Sequence, residues 1–249
     1  MSTARAPLET LRAEASRLGL ELNEATIGQF ETYLEMLLDW RDRAGLTAIT
    51  ERAAVEQRHF GESLALLVAL RRAGILAESG QTRVADLGTG AGFPGLPMRI
   101  VDPTIDLALV ESNGRRCRFL ETVVDALQLE GVQVLQARAE DAGRNPALRG
   151  SFDLVVVRAL AAFPILVEFA VPLLREGGVL AAPKGSRAID ELAEAAPALA
   201  ALGAVSEPPL QLSLPPGAAA QHVLIARRVG PLDDRFPRRP GIPAKRPLR

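Results

Sequence analysis

The sequence predicts an α/β protein in which a helical N-terminal extension precedes a mostly parallel, seven-stranded sheet. From about residue 80 onward, short apolar runs alternate with helical stretches, which is the pattern of repeated βαβ units. Before that point apolar residues recur at helical spacing, and no strand pattern occurs. A glycine-rich loop directly follows the first predicted strand, at the edge where parallel sheets bind ligands.

Residues 1–75 are predicted to form the helical extension. Asn23 is expected to cap one helix, Gly45 is expected to end it, and a second helix is expected over residues 53–73. The apolar stripe of the first of these helices consists of Phe30, Leu34, Leu37 and Leu38.

Residues 76–230 are predicted to form the sheet domain. Five strands alternate with helices, and two more strands form a closing antiparallel pair around a Pro-Pro-Gly turn region. The predicted strands span residues 84–87, 107–110, 132–135, 154–157, 178–181, 210–214 and 222–226. The alanine-rich stretch 188–202 is expected to be a helix that Pro197 kinks or splits.

Composition excludes several classes of protein. Hydrophobic residues make up 48% of the chain and charged residues 24%, a balance typical of a globular protein and not of a disordered chain or a disulfide scaffold. One cysteine and two histidines leave too few ligands for a cysteine cluster or a zinc site, so no metal is expected. No apolar run reaches the roughly 18 residues of a membrane span, and charges interrupt the N-terminal region. We expect a cytoplasmic protein that makes no membrane contact and acts as a monomer.

The glycine loop discriminates between classes of cofactor. Gly88, Gly90 and Gly92 follow the spacing G-x-G-x-G, whereas a dinucleotide fingerprint would place its third glycine where Phe93 stands. Asp86, just before the loop, suits a cationic cofactor better than a pyrophosphate. S-adenosylmethionine carries a sulfonium and an amino group, so the loop favours it.

Acidic residues follow the next two strands. Glu111, at the end of the second strand, is placed to accept hydrogen bonds from ribose hydroxyls. Ala139 and Glu140, just after the third strand, stand where an adenine edge would lie. The alternative for both glutamates is an ordinary carboxylate at a helix start.

The segment Val84–Ile100, VADLGTGAGFPGLPMRI, resembles the first motif of the bacterial small-subunit ribosomal RNA guanine-N7 methyltransferases, also called the glucose-inhibited division protein B family. The resemblance covers about residues 25–248. The chain departs from the family at Gly45, where asparagine is usual, and at Gln221, where arginine is frequent. Further matches, in chain order, include Leu46-Thr47, Arg58-His59-Phe60, Arg115–Leu120, Arg138-Ala139-Glu140, Arg158-Ala159, Lys184-Gly185 and Pro237–Lys245.

This resemblance implies a Rossmann-like, S-adenosylmethionine-dependent methyltransferase fold and a substrate in small-subunit ribosomal RNA or a ribosomal particle. It implies cofactor contacts at Gly88, Phe93, Ala139, Glu140 and Arg158, whereas Glu111 comes from the position of the second strand.

The residues after the fourth strand are consistent with an N7 acceptor. Guanine N7 exposes a lone pair and carries no proton, so its methylation needs positioning and no general base. Exocyclic amine methylation usually goes with an Asn/Asp-Pro-Pro-aromatic loop, which this chain lacks after the fourth strand. Arg158 stands there instead. It could contact the cofactor or the target base and is our candidate catalytic residue. Cys117 is interpreted as a packing residue, since it lies within a helix. His59 could face RNA, although a lone helix histidine is more often structural.

Residues 231–249 are predicted to form a basic, proline-rich tail. Its prolines are expected to keep it extended and free of helix, and its arginines to contact RNA phosphates. A solvated chain end is the alternative for such a tail.

Three other functions remain open from the residues. A methyltransferase for a small molecule or protein would bind cofactor without any effect of RNA. A non-catalytic RNA-binding protein of the same fold would bind RNA without methyl transfer. A nucleotide-binding oxidoreductase is disfavoured by Phe93 in the loop.

Overall fold

One seven-stranded sheet organises the computed structural model, which describes residues 8–77 and 80–248. Its strands are β1 (Thr82–Leu87), β2 (Ile105–Glu111), β3 (Val132–Gln136), β4 (Phe152–Val156), β5 (Leu174–Lys184), β6 (Ala204–Gln211) and β7 (His222–Arg228). The helices are α1 (Glu9–Leu18), α2 (Glu24–Ala44), α3 (Arg52–Val55), α4 (Glu62–Arg72), α5 (Gly95–Val101), α6 (Gly114–Ala126), α7 (Ala139–Arg144), α8 (Phe163–Ala170), α9 (Ala188–Glu194), α10 (Ala196–Ala201) and α11 (Ile242–Lys245).

The strand order is β3-β2-β1-β4-β5-β7-β6, and β7 alone runs antiparallel to its neighbours. Asp86 on β1 is in register with Leu109 on β2 and with Val156 on β4. The residues that follow these positions therefore reach the same carboxyl edge of the sheet. The predicted mostly parallel, seven-stranded α/β fold is confirmed.

The N-terminal helices follow the predicted boundaries closely, with one irregularity. The Asn23 side chain accepts a hydrogen bond from the Thr26 N–H at 2.8 Å and caps α2, which ends at Gly45 with a φ of 59°. The predicted helix over residues 53–73 is interrupted between α3 and α4 by a π-helical turn, Glu56–Gly61. This wider turn carries His59 and places it toward the sheet edge.

Apolar side chains cover both faces of the sheet. On one face, residues of β1 and β2 pack with the N-terminal helices, and α2 lies against α5 and α6. On the other face, β4 and β5 pack with α8 and α10. The helical extension is thus continuous with one of the two core layers.

Two strands differ from their predicted bounds by more than two residues at an end. The strand expected over residues 210–214 is β6 and begins six residues earlier, at Ala204, because it continues through Pro208 and Pro209. Prolines cannot donate to a strand ladder, but β6 is an edge strand, and its pairing shifts register between Glu207 and Leu210. The fifth strand also extends well beyond the predicted 178–181.

Helix predictions near prolines had mixed outcomes. Pro197 lies in the first turn of α10, which follows a break from α9, so the predicted split is confirmed. The tail is not free of helix, because α11 forms there with Pro243 in its first turn, where the missing N–H costs no hydrogen bond. The boundaries at residues 75 and 230 stay predictions.

Among the described residues, no helix combines the length and apolar character of a membrane span. Across the same ranges, no group of three or more His, Cys, Asp or Glu residues is arranged to hold a metal ion.

Candidate cofactor and substrate site

Asp86, on β1, holds the following glycine loop in place through hydrogen bonds. This carboxylate is fully buried, and its Oδ2 atom accepts hydrogen bonds from the Thr89 hydroxyl at 2.6 Å and the Gly95 N–H at 2.8 Å. Burial raises the pKa of Asp86 to about 6, and these hydrogen bonds oppose that rise. The Oδ1 atom is buried without a hydrogen-bond partner among the described residues. Asp86 therefore uses one oxygen to hold the loop and the start of α5.

Glu111, at the end of β2, holds the loop from the side. Its Oε2 atom accepts a hydrogen bond from the Gly90 N–H at 3.1 Å, and its Oε1 atom accepts one from the Asn113 N–H at 2.8 Å. The Arg116 guanidinium lies 3.7 Å from the same carboxylate. The structure places Glu111 against the glycine loop, whereas its role toward a ribose stays a prediction.

A cavity of about 220 Å³ lies beside this loop and brings together Gly88, Ala139 and Glu140. Gly88 has a φ of 68°, and a Cβ atom at this position would lie 2.7 Å from Leu160 Cδ1. A side chain here would clash with Leu160, so glycine is required and its backbone is exposed to the cavity. The remaining lining residues include Val110, Ser112, Ala137, Arg138, Leu160, Phe169, Gly241 and Ala244.

Phe93 lies in a stack of rings next to the glycine loop and does not line the 220 Å³ cavity. Its ring stacks on His59 with 4.6 Å between centroids and on Tyr33 with 5.5 Å. The Arg158 guanidinium lies over the same ring, 5.3 Å from the centroid. Phe93 is 6% exposed, so it supports the site from within the core.

Arg158 lies at the centre of a hydrogen-bonded cluster. Its guanidinium donates to the Arg58 carbonyl oxygen at 3.1 Å and to His59 Nδ1 at 3.2 Å, and it lies 3.7 Å from the Glu62 carboxylate. Burial lowers the pKa of Arg158, and the carboxylates of Glu62 and Asp86 oppose that change. These contacts fix the guanidinium at the carboxyl edge of β4.

His59 is neutral and has a defined tautomer. Burial lowers its pKa to about 4, and the cations of Arg158 and Arg58 lower it further. Because a guanidinium can only donate, Nδ1 is the acceptor and Nε2 carries the proton toward the Thr47 hydroxyl, 2.9 Å away.

A second, larger cavity of about 770 Å³ opens on the other side of Arg158. Lys184 enters it from the end of β5 and pairs with Glu191 at 2.9 Å. The polar side chains that line it are Arg58, His59, Glu62, Arg158, Lys184, Ser186, Gln221 and His222. Its volume and its hydrogen-bond donors suit a nucleotide whose base is exposed.

The turn after β4 divides the two cavities. Arg158 lines the larger one and Leu160 the smaller, with Ala159 between them at a φ of 56°. Gly88, Ala139 and Glu140 thus form one group, and Phe93 and Arg158 form another. Glu111 contacts the glycine loop at Gly90.

Sequence reasoning missed Leu160 and the two tail residues, Gly241 and Ala244, as parts of the site. No local pattern marks them, because their positions depend on a left-handed residue and on a chain segment about 100 residues away. Cys117 is 2% exposed inside α6, which confirms that it is a packing residue.

Solved structures share this architecture. A SAM-dependent methyltransferase from Aquifex aeolicus aligns with a TM-score of 0.51 and 16% identity, covering 68% of this chain and 93% of that chain. TrmN from Thermus thermophilus aligns with a TM-score of 0.50 and 19% identity, covering 70% and 53% of the two chains. At such low identity these likenesses show the fold alone, which is the Rossmann-like methyltransferase fold.

Sequence comparison identifies the family. The family model described as GidB, rRNA small subunit methyltransferase G, matches residues 26–212. A protein of that name from Desulfitobacterium hafniense is 41% identical over 239 residues, covering 95% of each chain. Another from Chloroflexus aggregans is 42% identical over 250 residues, covering 99% of each chain. The chain therefore belongs to the rRNA small subunit methyltransferase G family.

Proposed function

We propose that this protein transfers a methyl group from S-adenosylmethionine to N7 of a guanine in small-subunit ribosomal RNA. The observation that carries this proposal is the near full-length identity of about two residues in five to relatives named rRNA small subunit methyltransferase G. The two cavities at the carboxyl edge of the sheet support it, because methyl transfer needs one site for the donor and an adjoining site for the acceptor.

The smaller cavity fits the adenosine part of the cofactor. Gly88 exposes backbone where a Cβ atom would intrude, and Ala139 and Glu140 begin α7 on the opposite side. Glu111 lies next to the loop, at the strand end where a ribose would be held. When bound, the cofactor supplies an electrophilic methyl group on a cationic sulfur. We propose Gly88, Phe93, Glu111, Ala139, Glu140 and Arg158 as its site, with Phe93 and Arg158 acting from the ring stack beside the loop.

The larger cavity fits the acceptor base. Guanine presents O6 and N7 as neighbouring acceptors, and the Arg158 guanidinium could donate to O6 while N7 remains free to react. Arg158 is our candidate catalytic residue because it lines the larger cavity and belongs to the turn that divides the two cavities. The neighbouring His59 is neutral and adds no positive charge. The Glu62 carboxylate, 3.7 Å from Arg158, would offset the positive charge that guanine gains on methylation.

An N7 acceptor requires no side chain of the site to remove a proton from it. Asp86 is enclosed beneath the loop, and the neutral His59 ring has both nitrogens in hydrogen bonds. An N7 acceptor needs neither group as a base, because N7 carries no proton. We further propose that the protein acts as a monomer in the cytoplasm, where ribosomal particles provide its substrate.

Transfer of a labelled methyl group to small ribosomal subunits tests the proposal. We expect label in RNA, recovered as 7-methylguanosine after digestion, and none with the Gly88→Asp variant. Labelled RNA that yields a different methylated nucleoside would contradict the N7 assignment. Cofactor binding without any label in RNA would instead favour a methyltransferase for a small molecule or protein.

A further inference from the structure

The C-terminal strap, residues 235–248, returns to the body of the protein after β7. Its start is fixed by Arg149, whose guanidinium donates to the carbonyl oxygen of Phe236 at 2.7 Å and to that of Asp233, just before the strap, at 3.1 Å. Pro237 packs so closely on α7 that a Cβ atom at Gly143 would lie 3.0 Å from it. The strap is therefore a packed element and not a solvated chain end.

A buried ion pair holds the strap to α8. Glu168 is 1% exposed, and its two carboxylate oxygens accept hydrogen bonds from the Arg238 side chain at 2.6, 2.8 and 3.1 Å and from the Arg238 N–H at 2.9 Å. The forked guanidinium matches the two oxygens of a carboxylate, which a lysine cannot do. Loss of Arg238 would leave the Glu168 charge buried and unpaired, so this pair fixes the strap strongly.

Three residues beyond this pair, the strap reaches the smaller cavity. The Gly241 N–H donates to Glu140 Oε1 at 2.8 Å, and Glu140 is 4% exposed. Gly241 and Ala244 line the cavity together with Gly88 and Leu160. The strap thus supplies one wall of the cavity and engages a residue that we assign to the cofactor site.

We infer that the C-terminal strap is a structural part of the cofactor site and that the Arg238–Glu168 pair is a positioning device that holds its wall against the ligand. This inference rests on the proposed function, since it takes S-adenosylmethionine as the occupant of the smaller cavity. It differs from the sequence-based expectation that the tail serves as a phosphate-contacting arm. Arg238 faces inward to Glu168, so it acts on the cofactor site and not on RNA.

Binding of S-adenosylmethionine to full-length variants, measured by calorimetry, tests this inference. We expect Arg238→Ala to weaken the affinity by about tenfold or more. Arg238→Lys should restore only part of the affinity, because it keeps the charge and loses the fork. Arg235→Ala is the matched control, because the Arg235 side chain is 80% exposed and contacts its near neighbours Asp233 and Phe236. The cofactor affinity of this variant should stay within about twofold of the wild type.

Steady-state kinetics distinguishes a strap that forms part of the cofactor site from a tail that contacts RNA. Arg238→Ala should raise the KM for S-adenosylmethionine and leave the KM for ribosomal subunits unchanged. A rise in the KM for subunits alone would overturn the inference. So would a cofactor affinity equal to that of the wild type.

A second variant decides the question where Arg238→Ala fails to fold. Ala244→Phe leaves the ion pair intact and adds bulk at the cavity wall, so it should weaken cofactor binding at an unchanged melting temperature. Unchanged binding in this variant would overturn the inference. A wild-type protein that does not bind S-adenosylmethionine would overturn the proposed function as well, whereas normal wild-type binding with unaffected variants overturns the inference alone.

Discussion

The phenolic hydroxyl of Tyr33, on α2, donates a hydrogen bond to the backbone carbonyl oxygen of Ala91 in the glycine loop. Tyr33 is fully buried, and burial raises the pKa of its phenol well above the ordinary value, so the hydroxyl keeps its proton. A Cβ atom at Gly92 would lie 2.5 Å from this hydroxyl. The helical extension therefore holds the glycine loop in place and contributes to the shape of the proposed cofactor site.

Removal of this hydroxyl should loosen the loop. We expect Tyr33→Phe to lower the free energy of unfolding by about 1–2 kcal/mol, because a buried hydrogen bond is lost and the Ala91 carbonyl is left unpaired. Cofactor affinity should fall with it. Urea unfolding and calorimetry measure the two effects. Thr32→Ala, which removes an exposed hydroxyl on the same helix, is the control, and equal behaviour of the two variants would count against the role of Tyr33.

Gly88 and Gly90 form a matched pair for testing contact with the ligand. Both have positive φ, but only a Cβ atom at Gly88 meets a neighbour, whereas Gly90 has open space. Each alanine variant should lose about 1 kcal/mol of stability through backbone strain. Gly88→Ala should in addition weaken cofactor binding, and Gly88→Asp should abolish it. Normal binding by Gly88→Asp in a calorimetric titration would place the cofactor elsewhere.

Glu111 links the loop to the end of β2. We expect Glu111→Ala to weaken cofactor affinity by about tenfold, since two backbone N–H groups lose their acceptor beside the proposed ribose position. Glu111→Gln keeps one acceptor oxygen and should bind more tightly than the alanine variant. Calorimetric dissociation constants for the two variants give the comparison, and an alanine variant that binds like the wild type would remove Glu111 from the site.

Arg158 should act on the reaction more than on stability of the cofactor complex. Arg158→Lys keeps a cation near Glu62 but loses the forked donation to His59 and the Arg58 carbonyl. We expect kcat for methylation of ribosomal subunits to fall by about tenfold to a hundredfold, with a smaller change in cofactor affinity. Single-turnover methylation at saturating cofactor measures this step. An undiminished rate would assign Arg158 a purely structural role.

The neutral state of His59 makes stability depend on pH in a defined direction. Its pKa falls from 6.5 to about 4 on folding, so its contribution to stability is present above pH 6.5 and is lost as the pH falls toward 4. The wild type should therefore lose about 2 kcal/mol more than His59→Asn between about pH 8 and about pH 5.

Urea unfolding of both proteins across this range measures the difference. The raised pKa of Asp86 has the opposite effect, since its stabilising contribution is present below its ordinary pKa and is lost as the pH rises through about 6. Because both proteins contain Asp86, its contribution cancels in the comparison. Parallel pH profiles for the two proteins would show that His59 is not neutralised by folding.

Much of the fold could be predicted because it depends on local patterns. The apolar stripe of α2, its Asn23 cap and the break at Pro197 each depend on residues within one or two helical turns. The misplaced start of β6 has an equally physical cause. The local sequence at Pro208 and Pro209 predicts a turn. A strand can contain these prolines here because β6 lies at the edge of the sheet, where a missing N–H donor is tolerated.

The sequence by itself determined the order of strands and helices, the glycine loop and the family. It also indicated which residues reach the carboxyl edge of the sheet, because a parallel strand order brings its loops to one side. The tertiary structure decided how those residues divide between two cavities. It placed Tyr33 on Ala91 and Gly241 on Glu140, 58 and 101 residues apart in the chain. Such contacts depend on the packing of whole elements, and no local pattern of residues encodes the distance between them.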